Sequence, residues 1–145
     1  MLIREVLKDD LLDLLQLYTQ LHDNQMPSQD SQLATIWEKI MADDNHHILA
    51  GFVGGKLIAS CVIVVIPNLT RKQQPYALIE NVITDIAYRK KGYGTQLLEA
   101  AAEIAKAANC YKIMLLTGAK EESTLNFYQK AGYNQQDKTA FIQWL

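Results

Sequence analysis

Between an apolar, strand-like stretch, Leu78–Ile83, and a helical stretch, Gln96–Ala108, the chain reads Arg89-Lys90-Lys91-Gly92-Tyr93-Gly94-Thr95. A glycine-rich turn that joins a strand directly to a helix leaves the first N–H groups of that helix pointing forward, without intrahelical partners. The helix dipole adds partial positive charge at the same point, so the turn suits a phosphate. Glycine removes the Cβ that would hold a bulky diphosphate off the backbone. Three consecutive cations beside it favour a polyanion, and a nucleotide-like cofactor carried on its pyrophosphate meets all of these conditions. The same residues could form a plain tight turn with solvated cations. The strand–turn–helix context is what favours phosphate.

The 145 residues are expected to form a single domain, 1–145, long enough to bury a real core. An apolar fraction of 49% and a charged fraction of 21% are those of an ordinary globular protein. With a net charge of −2, no whole-molecule field draws the chain to nucleic acid or an anionic membrane. Cys61 and Cys110 are isolated in apolar runs, read as small buried hydrophobes, and lack metal-ligand spacing. A reducing cytoplasm fits them. The opening residues Met1–Glu5 lack the apolar core of a signal peptide, and Gly54-Gly55-Lys56 splits the apolar run 48–66 into pieces too short to span a bilayer. A soluble, cytoplasmic protein is expected.

Leu2–Val6 reads as a first strand, and Asp9 or Asp10 can cap a helix in which Leu11, Leu14, Leu15, Tyr18 and Leu21 recur at helical spacing. The polar segment His22–Asp30 separates it from a second helix with Leu33, Ile36, Trp37, Ile40 and Met41 on one face. His47–Val53 and Lys56–Ile66 read as strands joined by a Gly54-Gly55 hairpin turn. A polar loop, Pro67–Pro75, leads to a strand over Tyr76–Thr84, and the glycine turn and its helix follow. Lys112–Leu116 reads as a strand, Glu121–Lys130 as a helix, and Tyr133–Asn134 with Thr139–Trp144 as a closing hairpin. The order β-α-α-β-β-β-α-β-α-β-β predicts a mixed α/β sandwich.

Arg89, Gly92 and Gly94 match R/Q-x-x-G-x-G/A, and Phe127, Tyr128, Gly132 and Tyr133 match an aromatic-Tyr…Gly-aromatic signature. With these motifs, and with the element order along the whole chain, the sequence resembles the GNAT-family N-acetyltransferases. The fold that the resemblance implies is a GNAT-type α/β domain. Its mixed, mostly antiparallel central sheet has about six to seven strands and is flanked by about four helices. A dinucleotide-binding fold would instead place G-x-G-x-x-G after the first strand; here the turn is late, and Leu97 stands where the third glycine belongs.

The resemblance implies acetyl-CoA as co-substrate and transfer of its acetyl group directly to a primary amine. The turn Arg89, Lys90, Lys91, Gly92, Tyr93, Gly94 and Thr95 would hold the pyrophosphate, and the strand edge at Val82, Ile83 and Thr84 would pair with the pantetheine arm. Glu80, a carboxylate in an otherwise apolar strand, is the candidate base for the acceptor ammonium, with a pKa raised by partial desolvation. It could equally point outward on the sheet or pair with a cation such as Arg71. Tyr128 is the candidate acid for the departing thiolate, or else a core tyrosine sharing a helical face with Leu125 and Ala131. Many relatives carry Asn where this chain has Glu121, so a cofactor contact is not carried over to that position.

His22–Asp30 and Pro67–Pro75 are expected, by resemblance, to shape the acceptor pocket. Ile79-Glu80-Asn81-Val82 and Cys110-Tyr111-Lys112 resemble the glucosamine-phosphate N-acetyltransferases of the family, which would suit Arg71 or Lys72 as phosphate contacts. A protein amine remains an alternative acceptor, and a non-catalytic acyl-CoA-binding sensor is the alternative function. A homodimer is left open.

Overall fold

The computed structural model describes residues 1–21 and 24–145. Its elements run β1 (Leu2–Glu5), α1 (Leu11–Tyr18), α2 (Ser31–Met41), β2 (His46–Val53), β3 (Lys56–Ile66), β4 (Tyr76–Thr84), α3 (Tyr93–Ala107), β5 (Ile113–Leu115) and α4 (Glu122–Lys130). The five strands lie in sequence order, β1-β2-β3-β4-β5. Neighbours are antiparallel except for the last pair, where β4 and β5 run parallel. Among the described residues, no helix is long and apolar enough to cross a membrane.

The sheet separates two cores. On one face α1 and α2 bury Leu14, Leu17 and Trp37 against Ile48, Phe52, Val62 and Ile83. On the other, α3 lays Leu97, Leu98, Ala101 and Ala105 against Leu49, Ile58, Cys61, Ile63 and Ile79. Two alanines in the buried stripe of α3 bring that helix close to the sheet, and Phe127, Tyr128 and Tyr133 pack against the same cluster. Each fully buried Leu or Ile stabilises the fold by about 1.5–3 kcal/mol relative to exposure.

Local signals fix several joints. Gly54 and Gly55 have φ of 58° and 82° and close the β2–β3 hairpin between the paired residues Val53 and Lys56. Asp30 caps α2 by accepting the Leu33 N–H at 3.0 Å. Asp10 immediately precedes α1, but its carboxylate does not cap that helix. It accepts the Leu7 N–H at 2.6 Å and pairs with the Arg4 guanidinium at 2.6 and 3.0 Å, which holds the Asp10 carboxyl below its ordinary pKa.

The expected sheet of six to seven strands is corrected to five among the described residues. Neither Tyr133–Asn134 nor Thr139–Trp144 is a strand. The Asn134 side-chain oxygen instead accepts the N–H groups of Gln136 at 2.9 Å and Asp137 at 3.1 Å, folding a tight Asx turn where the hairpin's first strand would run. His22 and Asp23, part of the segment expected to border the acceptor, lie outside the described residues.

Candidate functional site

The site is built on β4. On one side β4 pairs with β3 as far as Thr84, opposite Ala59. On the other side β5 reaches only from Ala77 to Ile79. From Glu80 to Thr84 that edge has no paired strand among the described residues, a run of roughly 17 Å at about 3.3 Å per residue. Its free N–H and C=O groups can receive an extended, amide-bearing chain as an added strand.

A β-bulge breaks β4 at the start of this edge. Val62 faces Glu80 and Ser60 faces Ile83, so Cys61 alone opposes both Asn81 and Val82. Asn81 takes up the extra residue at φ 51°. Beyond the bulge Val82 faces the α3 core and Ile83 the α1 core, while Glu80 and Asn81 are exposed. The desolvation expected for the Glu80 carboxylate is therefore absent, and no ion pair with Arg71 forms.

After Thr84 the chain is tied down residue by residue. The Asp85 N–H continues the ladder to the Ile58 carbonyl at 2.8 Å. The buried Asp85 accepts, through its carboxylate, the Ala87 N–H at 2.9 Å and the Lys56 ammonium at 2.9 Å. The Lys56 hydrogen bond, more than any other contact, lowers the pKa of Asp85. Gln20, at the end of α1, accepts the Ile86 N–H at 3.0 Å, and Arg89 Nε donates to the Thr84 carbonyl at 3.0 Å. Lys56 and Lys91 sit 5.2 and 5.3 Å from the Tyr88 ring centre. Lys90 is exposed.

Gly92 precedes α3 at φ 78°, and a Cβ built there meets nothing within 4 Å. The first intrahelical bond of α3 is Gln96 N–H to the Gly92 carbonyl at 3.1 Å, so the amides of Tyr93, Gly94 and Thr95 lie ahead of it. Gly94 is also closely packed. Its Cβ would come within 3.1 Å of the Phe127 ring and 3.6 Å of Thr84 Oγ1. Gly92 thus faces open space, and Gly94 leaves space for α4.

Tyr128 follows Phe127 on α4. It is half-buried, its ring centre 4.8 Å from that of Phe127 and 6.3 Å from that of Tyr133 in an edge-on contact. Burial raises the Tyr128 pKa above that of a free phenol, with Cys61 and the Glu80 carboxylate near enough to raise it further. Tyr133 is pushed up to about 12 by the same burial. The structure therefore brings Glu80, Tyr128 and the free edge of β4 into one neighbourhood, with the glycine turn at the end of that edge.

The loop at Pro67–Pro75 lies elsewhere. Arg71 stands 5.7 Å from the Tyr111 ring centre at the beginning of β4, the end of the strand remote from the glycine turn. Arg71, Lys72 and Gln73 occupy a left-handed turn, φ 52°, 57° and 59°, which no glycine announces.

Sequence reasoning passed over Asp85, Lys56 and Gln20, the groups that hold the turn in place. A lone Asp at the end of a strand run was the available signal, since Asp readily caps the next backbone N–H groups. The partners Lys56 and Gln20 are remote in sequence and carried no signal.

Comparison with known proteins agrees with this architecture. The profile of the acetyltransferase (GNAT) family matches residues 9–133. A protein of Agrobacterium tumefaciens str. C58, provisionally classed as an acetyltransferase, superposes with a TM-score of 0.90 at 36% identity, covering 99% of this chain and 100% of that one. Arabidopsis thaliana glucosamine-6-phosphate N-acetyltransferase shares the fold, with a TM-score of 0.84 at 22% identity over 99% of this chain and 97% of that one. Glucosamine 6-phosphate N-acetyltransferase of Trypanosoma brucei brucei is 31% identical over 84 residues, which are 58% of this chain and 55% of that protein. This chain thus spans about half the length of that curated relative. With the bulged β4, the open edge beside it and the glycine turn all present, the chain belongs to the acetyltransferase (GNAT) family.

Proposed function

We propose that this chain is an N-acetyltransferase that moves the acetyl group of acetyl-CoA to a primary amine. The observation that carries this reading is the unpaired edge of β4 from Glu80 to Thr84, leading to open backbone space at Gly92. The residues present fit the co-substrate. An amide-bearing pantetheine arm matches the main-chain groups of Val82, Ile83 and Thr84, and the pyrophosphate matches the leading amides of α3 flanked by Arg89, Lys90 and Lys91. Bound acetyl-CoA supplies an acetyl group already activated as a thioester.

The remaining chemistry belongs to the chain. Glu80 takes a proton from the acceptor ammonium, directly or through one water, so that the nitrogen lone pair is free to attack the acetyl carbonyl. Its exposure suits a base that meets an acceptor arriving from solvent. Tyr128 retains its proton at neutral pH because its pKa is raised, and donates it to sulfur as the C–S bond breaks. A C–N bond forms and the C–S bond breaks; nitrogen sheds two protons, one through Glu80 to solvent and one after attack, which replaces the proton Tyr128 gives to sulfur, so the amide, the CoA thiol and one proton are the products. The first acceptor class is an amino-sugar phosphate, by likeness to the trypanosomal relative.

Isothermal titration with acetyl-CoA, followed by a thiol-release assay across amines, tests the proposal. Micromolar binding and amine-dependent release of CoA are expected. Absence of binding would remove the cradle, and binding without release for any amine would make the chain a sensor of acyl-CoA.

A further inference from the structure

One strip of the sheet carries opposite charges at its two ends. Tyr76, Leu78 and Glu80 alternate along β4 opposite Ile66, Val64 and Val62, so they share the face that α1 packs against. On β5, Met114 lies beside Leu78, and Lys112 lies beside Tyr76. Glu80 closes the strip at one end, exposed and, among the described residues, without an ion pair.

The other end is a cationic cluster organised by aromatic rings. Tyr76 and Tyr111 meet edge-on at 6.3 Å, the Lys112 ammonium sits 5.3 and 5.4 Å from their ring centres, and Arg71 stands over Tyr111. Aromatic faces hold a cation in place without cancelling its charge. Neither 67–79 nor 104–120 contains an acidic residue, and among the described residues Arg71, Lys72 and Lys112 make no ion pair. The loop that presents Arg71 is tied down. Asn68 Nδ2 donates to the carbonyls of Thr70 at 3.0 Å and Gln74 at 3.2 Å, and Gln74 Nε2 donates to Asn109 Oδ1 at 3.2 Å. Cations fixed together with no carboxylate of their own suit an anion from outside.

The step along β4 from Tyr76 to Glu80 is about 13 Å at about 3.3 Å per residue. One sugar ring is too short to bridge it, so an amino-sugar monophosphate engaged at Glu80 would not reach the cluster. Between the two ends Leu78 and Met114 are half-buried and uncharged, a floor suited to an apolar spacer.

We propose that the acceptor is an elongated small molecule, with its primary amine at Glu80 and a carboxylate or phosphate at Arg71, Lys72 and Lys112, joined by an apolar spacer lying over Leu78 and Met114. This rests on the acetyl-transfer reading and narrows its acceptor to one longer than an amino-sugar monophosphate. The ammonium is drawn to the Glu80 carboxylate and the anion to the cluster, and a spacer of about 13 Å satisfies both at once. A short amine reaches Glu80 alone.

Titration of the full chain in the presence of CoA with γ-aminobutyrate, ω-aminodecanoate, ω-aminodecyl phosphate and decylamine tests it, with thiol release from acetyl-CoA measured for each amine. The two long anionic probes have extended chains of the required length. The better of them is expected to bind about tenfold or more tighter than aminobutyrate, which is too short, and decylamine, which has no anion. Which of the two binds better tells carboxylate from phosphate. Arg71→Met and Lys112→Met, each with an unchanged circular dichroism spectrum, are expected to raise the Kd and KM of the long probe about tenfold with little change in its kcat. Equal affinity for every probe would overturn the proposal, as would a preference for the long anions that survives both substitutions. Selective binding of the long anions without thiol release would support the two-ended site and overturn acetyl transfer in its place.

Discussion

The glycine turn and the terminal segment are both short, and both adjoin an aromatic-rich packing face, yet they are secured in different ways. The turn is held from several directions: Arg89 reaches back to the Thr84 carbonyl, Lys56 pairs with Asp85, and Gln20 holds the Ile86 amide. Among the described residues the terminal segment bonds only to itself, through Asn134, before its apolar residues run into solvent. A turn is complete once its own backbone angles and a few side-chain bonds are satisfied. A strand is complete only when an edge accepts it, and the edge need not belong to the same chain.

The sharpest way to break the turn is Gly92→Val. A branched side chain at φ 78° is strained and fills the space left for the pyrophosphate. Hydrogen bonds to charged groups contribute about 1.5–3 kcal/mol each, so displacing two should weaken acetyl-CoA binding by roughly 100-fold or more. Titration of a variant with unchanged circular dichroism checks this, and undiminished affinity would sink the cradle.

Tyr128→Phe should lower kcat by about 100-fold, in the range of a lost general acid, with little change in acetyl-CoA affinity. Unchanged turnover across pH would show that the ring only packs.

Gly94→Ala separates the two glycines. It should leave phosphate contacts in place while pressing on Phe127, costing about 1–3 kcal/mol of stability. Thermal unfolding measures the cost, and Phe127→Leu in the same chain should recover part of it. An Ala variant that loses acetyl-CoA affinity without losing stability would instead put Gly94 on the ligand.

The smallest effect is expected at Asp85. Its folded pKa is lowered, so its ionised form contributes stability above the unfolded pKa of about 3.9, and the contribution is lost as pH falls through the folded value. Asp85→Asn should therefore lower Tm at neutral pH and cease to differ from the parent in strong acid. A gap that persists there would point to packing in place of the Lys56 pair.

Much of the fold was legible because its signals are local. Gly54-Gly55 announced a hairpin, the apolar run Tyr76–Thr84 a strand, and Arg89–Thr95 a turn into a helix, and the structure contains all three. The site was legible only in part. Glu80 could be found as a charge in an apolar strand, but its exposure depends on the bulge at Asn81, and an asparagine, though it tolerates the left-handed region, does not by itself announce a bulge. The packing of Gly94 against Phe127 carried no signal, because the two residues are far apart along the chain.

By itself, the sequence determined the family, the order of elements and the amide-lined turn, because periodicity, glycine placement and capping act within a few residues. Only the tertiary structure decided that β5 stops at Leu115 and leaves β4 an open edge, that Lys56 and Gln20 secure the turn, and that Thr139–Trp144 has no place in its own sheet. Those outcomes depend on which surfaces meet after the chain has folded, and strand pairing depends on contacts between residues far apart in the sequence.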